Sequence, residues 1–124
     1  MRIIISGTRD FDDYELLCNE VDKFIEDSSK EFDCEFEIVS GTCRGADSLG
    51  ERYAEERGYA VKRFKPKWGE YGRSAGIIRN QMMAGYADVL ITFWDGKSRG
   101  TMNMIDEAQK RGLDIVIVRY KENG

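Results

Sequence analysis

Five short apolar runs alternate with four amphipathic stretches along this chain. That strict alternation constrains the fold more than any other feature. The runs lie at residues 2–6, 36–40, 60–64, 89–93 and 114–120. Three of them contain "IIIS", "VLITF" and "IVIV", nearly unbroken series of β-branched and large apolar residues. Strands covered on both faces read this way. The intervening stretches carry apolar residues at helical spacing. Leu17, Val21, Phe24 and Ile25 form one stripe; Ala46, Leu49, Tyr53 and Ala54 form a second, stopped by Gly58. Ser74 is placed to cap a third helix running to about residue 84, with Ile78 and Met82 inward. Thr101, Met104, Ile105 and Ala108 make a fourth, ended by Gly112.

Strands and helices in strict alternation imply a parallel sheet with helices on its faces. Right-handed crossovers reduce the topologies to a few. The expected fold is α/β: a single Rossmann-like, doubly wound, mostly parallel five-stranded sheet flanked by helices, in the order 3-2-1-4-5. The length of 124 residues fits one domain spanning 1–124. Pro66 sits in the longest loop, 65–73, and the terminal "KENG" is expected to fray.

Composition removes several classes of chemistry. No run approaches the roughly 18 apolar residues of a membrane helix. The three isoleucines near the start are too short for a secretory leader. No membrane partner and a cytoplasmic location are therefore expected. There is no histidine and no C-x-x-C spacing among Cys18, Cys34 and Cys43. No metal site is expected, the thiols should be reduced, and Ser-His-Asp and Cys-His systems are excluded. The net charge of −4 is uneven. Residues 1–59 hold 7 basic and 16 acidic side chains, residues 60–100 hold 8 and 3. The acidic part reads as solvated helix faces. The basic part suits a small anionic ligand better than a long nucleic acid.

In a doubly wound sheet, ligands bind outside the carboxyl ends of the strands. The residues just after each run are therefore informative. After the first come Gly7, Thr8 and Arg9. After the second come Gly41, Thr42, Cys43, Arg44, Gly45 and Asp47. After the third come Lys65, Lys67, Trp68 and Arg73. After the fourth come Trp94, Asp95, Gly96, Lys97, Ser98, Arg99, Gly100 and Thr101. Helix N-termini offer unpaired N–H groups and a partial positive charge. Glycines let the backbone approach an oxyanion, and arginine holds phosphate through paired hydrogen bonds. Several such ends around one crevice would cradle a phosphate. Trp68 and Trp94 either stack on a base or ribose or pack as lids over the sheet edge. Asp47 either meets the ligand or braces the first turn of its helix. Arg79 and Asn80, inside "IIRNQMM", are either an exposed pair or set one of their number near the apolar stripe, from which Arg79 could reach a ligand anion.

The set "SGTRDFDD", "VSGTCRGADSLGERYAEERG", "FKPKWGEYGRSAGIIRNQMM" and "DVLITFWDGKSRGTMNMIDEA" resembles the SLOG superfamily. That group includes the Lonely Guy phosphoribohydrolases, the Smf/DprA DNA-processing proteins and the sensor domains of TRPM channels. The nearest branch in appearance is the YspA-like family of bacteria and phages. The resemblance implies a Rossmann-like fold binding nucleotides or nucleotide-derived ligands at the strand carboxyl ends. By position, Gly7, Arg9, Gly41, Gly45, Asp47, Arg79, Asn80, Ser98, Gly100 and Thr101 match the binding motifs. One departure stands out. Lonely Guy enzymes carry P-G-G-x-G-T-x-x-E, and here Met104 stands where that glutamate would be. A thioether holds no proton, so N-glycosidic cleavage would need another carboxylate, Asp47 or Asp95.

The expected function is binding of a nucleotide or ADP-ribose-like ligand, as sensor, carrier or sequestering protein. A hydrolase of a nucleoside phosphate or N-glycoside is the alternative. Single-stranded nucleic-acid binding ranks third, against the net charge. No cofactor is expected beyond such a ligand, and self-association is expected from the relatives, with Met82, Met83 and Tyr86 as candidate contacts.

Overall fold

The computed structural model describes residues 1–31 and 35–120. The carboxyl-terminal "KENG" and Cys34 lie outside the described residues; Cys18 and Cys43 are free thiols. The strands are β1 (Arg2–Gly7), β2 (Glu37–Ser40), β3 (Ala60–Arg63), β4 (Val89–Trp94) and β5 (Asp114–Arg119). They form one sheet in the order β3-β2-β1-β4-β5, every neighbouring pair parallel. The register runs Ile3–Ile38 and Ile4–Val39 between β1 and β2, and Ile5–Ile91 and Ser6–Thr92 between β1 and β4. The topology and the doubly wound architecture are those the alternation implies.

Side-chain alternation sends β1 to both faces. Ile3 and Ile5 join Ile38, Val89, Ile91 and Phe93 under helices α1 (Tyr14–Glu31) and α2 (Ala46–Arg57). Leu17, Val21 and Ile25 come from α1, and Tyr53 and Ala54 from α2. Ile4, Val39 and Leu90 face the other side, against α4 (Ala75–Tyr86) and α5 (Arg99–Lys110). The three successive isoleucines of β1 are fully buried. Each stabilises the fold by about 2 kcal/mol relative to exposure.

Three local expectations are corrected. The 65–73 loop holds a one-turn helix, α3 (Trp68–Tyr71), and a 3₁₀ turn (Gly72–Ser74). The Glu70 and Tyr71 N–H groups both donate to the Lys67 carbonyl, at 3.0 and 2.9 Å, and close that turn. Ser74 belongs to the 3₁₀ turn, has helical backbone angles and makes no side-chain cap for α4. The register of α4 differs by one residue: Met83 is buried, whereas Met82 is half exposed. The helix packs through Ala75, Asn80, Met83 and Ala84, so Met82 is not an inward residue. Strand β5 is apolar in sequence but lies at the sheet edge, where Ile117 is left 43% exposed. Among the described residues, no helix is long and apolar enough to cross a membrane.

Candidate functional site

Five of the polar side chains that the fold buries gather at the carboxyl ends of the strands. Ser6, Thr8, Asp47, Asn80 and Thr101 are buried, and all five line one cavity of about 460 Å³. That volume is in the range of small-molecule sites. Each wall comes from a different crossover: the β1–α1 loop, the β2–α2 loop, the inner face of α4, and the β4–α5 loop.

Thr8 ties two of these walls together. Its N–H donates to the Phe93 carbonyl at 2.9 Å, and its Oγ1 accepts from the Asp95 N–H at 3.2 Å. The β2–α2 loop is tightly turned. Thr42 has a φ of 65°, a left-handed value uncommon for a β-branched residue, and its N–H donates to Ser40 Oγ at 3.1 Å. Gly45 has a φ of 79°, and a Cβ there would come within 2.5 Å of the Thr8 and Arg9 carbonyls. Only glycine lets this loop press against the β1–α1 loop.

Asp47 lies next, in the first turn of α2, where the helix dipole favours a carboxylate. It faces the backbone of the loop, and Cys43 N–H donates to its Oδ2 at 3.4 Å. Burial pushes its pKa from the ordinary 3.8 up to about 6; the Arg79 charge and the Cys43, Gly41 and Gly7 backbone groups pull it part of the way back.

Arg79 reaches from α4 across the sheet end. Its Nη1 donates to the Gly41 carbonyl at 2.9 Å and to Cys43 Sγ at 3.2 Å, and its Nε donates to Asn80 Oδ1 at 3.1 Å. Asn80 Nδ2 continues to Asn103 Oδ1 at 2.8 Å and the Gly100 carbonyl at 3.4 Å. This network locks α4 to the β2–α2 loop on one side and to α5 on the other.

The fourth wall is built around Asp95 and Ser98. Asp95 Oδ1 accepts from the Lys97 and Ser98 N–H groups, at 2.8 and 2.9 Å. Ser98 caps α5, its Oγ accepting from the Thr101 N–H at 3.4 Å and from Thr101 Oγ1 at 3.1 Å. Asp95 thus holds the turn that presents the start of α5 to the cavity.

Of the expected site residues, Gly7, Thr8, Arg9, Arg44, Asp47, Arg79, Asn80, Asp95, Ser98, Gly100 and Thr101 line this cavity together. Gly41 and Gly45 shape the loop behind it without forming its wall. Thr42 and Trp68 line a second cavity beside it, and Trp68 is 53% exposed. Trp94 stands outside both. It is half-buried, its Nε1 donates to the Ser98 carbonyl at 3.1 Å, and Arg119 lies over its ring at 5.2 Å. Arg99 is exposed and outside the cavity walls. Ser6, Asp10, Cys43, Met83, Lys97 and Met104 also line the cavity and were not among the expected site residues. Cys43 and Lys97 were legible as loop residues after strands. Ser6 was legible as the hydroxyl ending "IIIS". Met83 depended on the register of α4. Among the described residues, no cluster of three or more acidic or thiol side chains could hold a metal ion.

Three comparisons bear on this arrangement. The sequence profile described as "YspA, cpYpsA-related SLOG family" matches residues 1–71, which include the β1–α1, β2–α2 and β3–α3 loops. A curated relative, the Gene 61 protein of Mycobacterium phage D29, is 35% identical over 85 residues, covering 64% of this chain and 68% of the relative. Among solved structures, DNA processing protein A (DprA) from Streptococcus pneumoniae matches with a TM-score of 0.68 at 18% identity. That match covers 94% of this chain and 49% of the other. The chain therefore spans about half of the DprA chain, and at this identity the likeness is one of fold.

Proposed function

The chain belongs to the YspA, cpYpsA-related SLOG family, and from that premise we propose that its carboxyl-terminal rim binds a nucleotide or a nucleotide-derived, ADP-ribose-like ligand. One observation carries the reading. Arg9, Arg44, Arg79 and Thr101, far apart in sequence, line a single open cavity into which the buried Thr8, Asp47 and Asn80 also face. Arginine forks and the first turn of a capped helix are the groups that hold phosphate oxygens. The carboxylate of Asp47 and the second lone pair of Asn80 Oδ1 add acceptors suited to ribose hydroxyls. This mixture of signs favours a small phosphorylated sugar derivative over a long polyanion. In this reading the chain acts in the cytoplasm as a sensor, carrier or sequestering protein, and it self-associates.

Calorimetry with a panel of nucleoside mono- and diphosphates, ADP-ribose and ribose 5-phosphate tests the reading. Saturable heat with at least one of them supports it. Silence across the panel from the folded protein would contradict it.

Asp47 favours a second reading, hydrolysis of an N-glycosidic bond. A carboxyl group with a pKa near 6, buried in a cavity, is suited to hold and release a proton near neutral pH. Asp95 Oδ1 is taken up in holding the β4–α5 turn, where it accepts from the Lys97 and Ser98 N–H groups. Chromatography of a nucleoside 5′-phosphate after incubation separates the readings. Free base with ribose 5-phosphate marks hydrolysis; an unchanged nucleotide marks binding alone.

A further inference from the structure

Beside the main cavity lies a second one of about 480 Å³, lined by Arg9, Thr42, Cys43, Arg44, Lys65, Pro66 and Trp68. The two share Arg9, Cys43 and Arg44, so a partly cationic partition separates them. Their characters differ. The main cavity has buried hydrogen-bonding groups: Asp47, Asn80, Thr8 and Thr101. The second has an indole, a proline ring and a lysine.

Trp68 is the first residue of α3, and its indole edge points toward the start of α4, where a Cβ on Gly76 would meet it at 3.8 Å. More than half of the residue stays open to solvent. An exposed indole beside a lysine and two arginines is a surface on which an aromatic base stacks. The partition is also available. Arg44 pairs with Asp10 at 3.4 Å, but both side chains are 74% exposed. Such a surface pair is worth little and yields readily to phosphate. Arg9 and Lys65 make no ion pair among the described residues.

We infer that the two cavities form one bipartite site for a nucleoside diphosphate that carries a second, hydroxyl-rich group on its distal phosphate. The base stacks on Trp68, the diphosphate crosses Arg9 and Arg44, and the second sugar enters the Asp47–Asn80 cavity. This rests on the ligand class proposed above and adds which half of the ligand each cavity takes.

The test compares ADP-ribose with ribose 5-phosphate, which carries the sugar and phosphate but no base, by calorimetry and tryptophan emission. In the unmodified chain, ADP-ribose binds tighter than ribose 5-phosphate, by roughly ten- to a hundredfold from the stacked base and further from the second phosphate, and quenches tryptophan emission. In Trp68→Ala that ratio falls roughly ten- to a hundredfold, the share of the stacked base, while the share of the second phosphate on Arg9 and Arg44 remains. In Trp68→Phe the ratio is largely restored, while the quenching is lost with the indole. Two results overturn the assignment and leave the main cavity's function standing: equal affinity for the two compounds in the unmodified chain, or a ratio unchanged in Trp68→Ala. Failure of both compounds to bind the unmodified chain overturns the main-site reading together with this one.

Discussion

At the amino end of the sheet, Arg2, Glu37, Tyr86 and Asp88 answer one another from within the chain. Asp88 accepts from the Arg2 N–H at 2.8 Å, and its own carbonyl accepts from the Asp114 N–H at 3.2 Å. Arg2 donates to the Tyr86 carbonyl at 3.2 Å and lies 4.0 Å over its ring, while the Tyr86 hydroxyl bonds to Glu37. At the carboxyl end the chemistry is left open. Arg9 and Lys97 have no ion pair among the described residues, Asp47 is buried at a raised pKa, and all three line a cavity of about 460 Å³. The contrast teaches what each end is for. The amino end closes the sheet, whereas the carboxyl end retains costly polar groups that folding alone does not require.

Helix α2 carries the contrast in miniature, because a left-handed glycine flanks it at each end. Gly45 (φ 79°) sits at the open end, crowded by two carbonyls; Gly58 (φ 75°) sits at the closed end, with nothing within 4 Å of an added Cβ. Gly45→Ala should cost about 3 kcal/mol or more, from strain and displaced backbone together. Gly58→Ala should cost only about 1 kcal/mol. Urea unfolding of the two variants measures the difference. Equal losses would remove the case that the open end is held by close packing.

Asp47 gives the next largest effect. Its folded pKa of about 6 lies above the ordinary 3.8, so the folded state binds the proton more tightly. The stability this group contributes is fully present below about pH 4 and is lost as pH rises through about 6. At roughly 1.4 kcal/mol per unit, the loss is about 3 kcal/mol. Unfolding free energies at pH 4.5 and 7.5 should show part of it, and Asp47→Asn should flatten the dependence.

Arg79→Met sharpens the same point with a smaller effect. At pH 7.5 it should destabilise the fold by about 2 kcal/mol, because ionised Asp47 loses its nearest cation. The penalty should shrink near pH 4.5, where Asp47 is protonated with or without Arg79. The smallest effect belongs to the closed end. Arg2→Gln removes partly exposed contacts and should cost under about 1 kcal/mol without altering ligand heats.

These two ends were not equally legible in the sequence. The sheet order came from the alternation of β-branched runs with helical stripes, because parallel crossovers have one hand. Loop residues such as Thr8 and Arg44 were legible too, since strand ends place them on one rim. The direction of α4 was not. Adjacent Met82 and Met83 satisfy either register, and only packing against Leu90 and Met104 decides between them. That decision turns both Arg79 and Asn80 into the cavity. Nor could the pattern separate Trp68 from Trp94, since both follow closely on apolar runs. The structure engages the indole N–H of Trp94 with Ser98 and leaves Trp68 open beside Lys65.

The most direct measurement is an amide-resolved NMR titration of the labelled chain with ADP-ribose. The predicted result is a set of saturable shifts confined to residues 7–10, 41–47, 65–68, 79–80 and 95–101, with Arg2, Asp88 and Asp114 unmoved. Shifts centred on the amino end, or none anywhere at millimolar ligand, would contradict ligand binding at the carboxyl-terminal rim.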